Sequence, residues 1–108
     1  MKPISDKAEI SIDFPDKAYV GSFSQHSEFA VGADADGVLI KLVHPGEDQR
    51  TAEIHLHYFL LADILAEAAK AIAQRGEALD ESHRGPLLDA SNRLGAALSR
   101  RKSRKPSK

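Results

Sequence analysis

The 108 residues predict an α+β fold. It is an antiparallel β-meander of four to five strands followed by two C-terminal α-helices packed on one sheet face. Three observations carry this. Apolar residues alternate in short runs up to residue 57. Turn-forming residues separate those runs by two to seven positions, too few for parallel crossovers. The period then changes from two to about 3.6 between Glu53 and Arg75 with no loop between.

The first run is Ala8 to Phe14. Ile10, Ile12 and Phe14 lie on one side, and Glu9, Ser11 and Asp13 on the other, as in a half-buried strand. Pro15-Asp16 ends it. Lys17 to Ser24 continues with Tyr19 and Phe23 on one side. Gly21 in its middle marks a bulge or a close approach. Gln25-His26-Ser27 is a turn. Phe29, Val31 and Ala33 form a third alternation. Asp34-Ala35-Asp36-Gly37 is a turn whose Asp and Gly supply side-chain capping and conformational freedom. Val38 to Val43 is a fourth strand, Pro45 to Gln49 a turn, and Thr51 to His57 a fifth strand.

From Tyr58 the polar positions become Asp63, Glu67, Lys70 and Gln74. Leu61, Ile64, Leu65, Ala68 and Ile72 form the apolar stripe between them. Gly76 closes this helix. Residues 77–85 form a connection. Pro86 is placed in the first turn of a second helix that frays near Arg101. Gly95 marks a close crossing of the two helices. The expected organisation is one domain over residues 1–101 and a disordered basic tail over 102–108.

Composition removes several functions. There is no Cys, hence no disulfide, thiolate metal site or cysteine nucleophile. There is no Trp and only six aromatic residues, a poor supply of surfaces for stacking bases. Met1 to Lys7 holds no apolar leader, so a cytoplasmic chain is expected. The apolar stretch Tyr58 to Ala73 carries three charges, which argues against a membrane span. Residues 1–99 hold nine Lys and Arg against all 16 Asp and Glu, a net of −7, whereas residues 100–108 carry +6. Attraction to phosphates therefore falls to the tail, through Arg100, Arg101, Lys102, Arg104 and Lys105.

Glu53, His55 and His57 share one strand face, so a metal on His55 and His57 is a candidate, with His44 or His26 as a further ligand. Asp34 to Gly37 has part of a calcium-loop pattern, but Gly32 stands where that pattern requires an acid. Ser82-His83 and Gln25-His26-Ser27 are neighbours only in sequence, which makes no triad. No P-loop, Gly-x-Gly-x-x-Gly or Gly-x-Ser-x-Gly is present. The absence of catalytic motifs weighs against an enzyme, and no cofactor is expected. The first functional expectation is a small interaction or regulatory domain that binds a protein partner or itself as a homodimer. Tyr19, Phe23, His55 and His57 are its candidate surface. The alternatives are a nucleic-acid-associated protein using the tail, and a metal-dependent enzyme or sensor using His55 and His57.

Overall fold

In a computed structural model that describes residues 1–100, six strands precede two helices. The strands are β1 (Lys2–Pro3), β2 (Ala8–Phe14), β3 (Lys17–Phe23), β4 (Glu28–Ala33), β5 (Gly37–His44) and β6 (Arg50–His57). The helices are α1 (Tyr58–Ala73) and α2 (Glu81–Ser99). The α+β class and the strands-then-helices order stand as expected. The chain divides into two compact units, Met1–Ala69 and Lys70–Lys108.

Within the first unit the strands are antiparallel but form two sheets. One is four-stranded in the order β1-β4-β5-β6, and β2-β3 is a separate hairpin. The reason lies in residues 24–27. His26 adopts a left-handed φ of 69°, and the Ser27 amide donates to the Ser24 carbonyl at 2.9 Å. This tight reversal satisfies its own backbone and releases β4 from pairing with β3. β1, absent from the sequence reading, is two residues long and pairs Lys2 with Phe29. Its brevity leaves no period to detect.

Alternation along β4, β5 and β6 sorts their side chains onto two faces. Register places Phe29, Val31 and Ala33 beside Leu42, Ile40 and Val38, and these beside Ala52, Ile54 and Leu56. This makes nine contiguous apolar positions. The opposite face carries Leu39, Lys41 and Val43 with His55, Glu53 and Thr51. Lys41 and Glu53 are 3.7 Å apart across it.

The β4–β5 turn is closed by Asp34. Its carboxylate accepts the amides of Asp36 and Gly37, both at 2.9 Å. These amides, with His55 beside it, hold the Asp34 carboxyl below its usual range. Gly37 is required by space. A Cβ there would overlap the Leu56 carbonyl oxygen and lie 2.7 Å from His57 Cα. β5 therefore starts against the backbone of β6, where only Gly fits.

β6 passes into α1 without an intervening residue. The Tyr58 amide donates to the Asp36 carbonyl at 3.2 Å, and its hydroxyl donates to the Asp34 carbonyl at 2.7 Å. The first residue of the helix is thus tied to the β4–β5 turn, which supplies a partner to one of the amides a helix start leaves unpaired.

In the second unit α2 begins at Asp80, an N-cap whose carboxylate accepts the His83 amide at 3.1 Å and the Ser82 hydroxyl at 2.8 Å. The Ser82 hydroxyl and then the His83 amide keep its carboxyl below the usual range. This cap starts the helix at Glu81, so Pro86 lies inside it and not in its first turn. Pro86 has no amide to offer the Ser82 carbonyl. A Cβ at Gly95 would meet open space.

Candidate functional site

The two ends of the apolar sheet face differ. At one end, Arg50 stands where an apolar residue would continue the Leu56, Ile54, Ala52 alternation. Its guanidinium donates to the Ser22 carbonyl from Nη2 at 2.7 Å and from Nε at 3.0 Å. It also donates to the Asp48 carbonyl at 3.1 Å. Cζ sits 5.5 Å from the centre of the Phe23 ring, a cation–π contact. The hairpin is thereby pinned to the sheet. Gly21 is neither a bulge nor a close approach: it pairs regularly with Ile10, and a Cβ there would meet Arg50 Cδ at 3.5 Å, an ordinary van der Waals contact.

Phe23 is 2% exposed and Ser27 is 1% exposed. Ser27 Oγ accepts the Ser24 amide at 3.2 Å and lies 2.9 Å from His44 Nδ1. Serine and imidazole at this distance have the spacing of a nucleophile and its base. The hydroxyl is sealed from solvent, however, and already holds the 24–27 reversal. Its chemistry here is that of a clamp between that turn and the end of β5.

From its middle row onward the face is open. Val31 is 59% and Ile54 43% exposed, and none of the nine apolar residues on this face is fully buried. Phe59, next after Tyr58 in α1, is 92% exposed. The hairpin adds to this surface. Ile12 and Tyr19 pair across it, and both are exposed. A concavity of about 270 Å³ opens between the hairpin and the start of β6, lined by Ile10, Ile12, Tyr19, Val20 and Phe23 on one side and by Arg50 to Ala52 on the other. Exposed apolar area of this extent marks interaction sites.

The sequence-chosen residues separate accordingly. Tyr19 is displayed. Phe23 is not, because Arg50 caps it. His55 and His57 share the polar face with Glu53, their rings 4.9 Å apart in an edge-on pair. Tyr19 and Phe23 are on the hairpin, so the four do not form one patch. His55 Nε2 is 3.4 Å from Asp34 Oδ1. His44 is turned to the opposite face, toward Ser27, and cannot join the other two histidines at a metal. Among the described residues no group of three or more His, Cys, Asp or Glu side chains is arranged to hold a metal ion. Arg100 follows the end of α2. Arg101, Lys102, Arg104 and Lys105 lie outside the described residues, as does most of the expected tail.

Arg50 was missed by sequence reasoning, and Phe59 was not among the surface residues it chose. Arg50 had a signal: a cation in register with Ala52, Ile54 and Leu56 needs a specific acceptor. Phe59 had a weaker one, lying beside the stripe of Leu61, Leu65, Ala68 and Ile72.

Comparison with known protein families, curated proteins and solved structures finds no match. Among the described residues no helix is long and apolar enough to cross a membrane.

Proposed function

We propose that this chain is a protein-interaction domain that works by docking its open apolar surface, not by catalysis. One observation carries the reading. In the unit Met1–Ala69, large apolar side chains from β4, β6, α1 and the hairpin remain in water, although Arg50 ties the hairpin to the sheet by hydrogen bonds and stacks on the buried Phe23. An apolar group left exposed forgoes about 25 cal/mol for each Å² that a partner would cover. The polar face, with its cross-strand Lys41–Glu53 pair, exposes one large apolar side chain among β5 and β6, Leu39.

Sedimentation and light scattering of the full chain over a wide concentration range test this, with the variant Val31→Lys/Ile54→Lys alongside. Association that the charged variant abolishes, at unchanged circular dichroism, supports the reading. A chain that stays monomeric to several hundred micromolar and is unaffected by the substitutions contradicts it.

A further inference from the structure

We propose that the occupant of the concavity is a second copy of this chain, lying antiparallel along β6, so that Phe59 of each copy seats between the hairpin and residues 50–52 of the other. This deepens the interaction reading and rests on it. Four observations converge.

The first is reach. Phe59 is the most exposed large apolar side chain of the first unit, so it touches little of its own chain. It follows the end of β6, whereas the concavity adjoins the beginning of that strand. Five strand residues, 53–57, at roughly 3.3 Å each separate the two. One copy cannot fill its own concavity with its own Phe59.

The second is symmetry. A two-fold axis near Glu53 and Ile54 sets two β6 strands antiparallel. It then brings the Phe59 end of each strand to the Arg50 end of the other. One contact becomes two identical ones, as an isologous dimer requires.

The third is the edge. β6 is the outermost strand of its sheet, and alternate residues along its eight turn their backbone amides and carbonyls to the outer side, the template on which another strand pairs. The strand's central acid is already matched, because Glu53 has Lys41 beside it. The first turn of α1 contains no acid. The approach therefore brings no unmatched like charges together along β6.

The fourth is exposure. Ile12, Tyr19 and Val20 at the concavity and Ile54, Phe59 and Leu60 are all exposed, so the knob and the cavity it would enter both offer apolar surface for the same partner to cover. A two-stranded hairpin is marginal on its own, and this one displays its apolar side beyond the part that Arg50 holds.

The natural chain has no Cys, so thiols can be placed at will. Val20 is 84% exposed, so Val20→Cys and Phe59→Cys both leave the fold intact. Oxidising a mixture of the two single variants should give a covalent dimer in high yield, whereas each variant alone should give little, because its thiols lie at opposite ends of the assembly. In parallel, Phe59→Glu should raise the dimer dissociation constant about 30-fold or more at unchanged circular dichroism. Association by sedimentation without the 20–59 link, or with Phe59→Glu harmless, overturns this arrangement and leaves the interaction reading standing. A chain monomeric at every concentration overturns both.

Discussion

The two ends of one sheet face show two ways of ending a hydrophobic layer. At the Arg50 end the chain supplies its own lid. A single guanidinium reaches the hairpin, stacks on Phe23 and takes the Ser22 carbonyl, and Ser27 beside His44 holds the neighbouring turn, leaving open the concavity next to residues 50–52. From Val31 and Ile54 on to Ala33 and Leu56 the apolar layer has no lid. Strand pairing and the packing of Gly37 on β6 hold this end, by backbone contact more than by side chains. The difference teaches that sheet integrity and core closure are separable in this molecule. A strand ladder can be complete while the face above it is still open to another chain.

Perturbing the two ends tests the contrast. Phe23→Ala should be the most damaging change, destabilising by about 4 kcal/mol in chemical unfolding, because it removes a buried ring and leaves Arg50 without its surface. Gly37→Ala should follow at about 3 kcal/mol, since the added methyl meets backbone that cannot move aside. If it proves harmless, the open end is not held by the approach of β5 to β6. Arg50→Met keeps a long stem but loses the hydrogen bonds to Ser22, and should cost about 2 kcal/mol and loosen amide protection in the hairpin. Val31→Lys at the open end should change unfolding of the isolated chain by less than about 0.5 kcal/mol. A large loss there would show that the open end is closed after all.

The smallest effect is acid dependence at the two capping carboxylates. The folded chain holds Asp34 and Asp80 below their ordinary pKa. Their contribution is therefore complete above the unfolded value, near pH 4, and is lost as pH falls through the lower folded value. Asp34→Asn keeps an acceptor for the Asp36 and Gly37 amides but has no proton to gain. Its unfolding free energy should fall less steeply between about pH 4 and pH 2 than that of the parent. An unchanged slope would mean that the turn gains nothing from the charge.

Much of the fold was legible because it is periodic. Ile10, Ile12 and Phe14, then Ile54 and Leu56 against His55 and His57, announced strands and their faces. The change of period near Tyr58 placed the start of α1. The split into two sheets was not legible, because it depends on one backbone conformation at His26 and a serine hydroxyl folded back on its own turn. Neither leaves a pattern in composition. The start of α2 was hidden by Pro86, whose preference for a first turn competed with the stronger cap at Asp80. The candidate surface was half legible. Tyr19 and the shared face of His55 and His57 could be read from alternation. The sealing of Phe23 could not, because it depends on an arginine 27 positions later in the chain.

The junction at His57 and Tyr58 has no slack, and this governs where the chain tolerates a change of length. One residue added within β6 would turn every following side chain of the strand to the other face and carry the Tyr58 hydroxyl away from Asp34. The turn around Gly46, whose φ of 106° places it outside any ladder, would absorb the same residue in solvent. Insertions and deletions among descendants of this sequence should therefore gather near Gly46 and spare the eight positions before the helix.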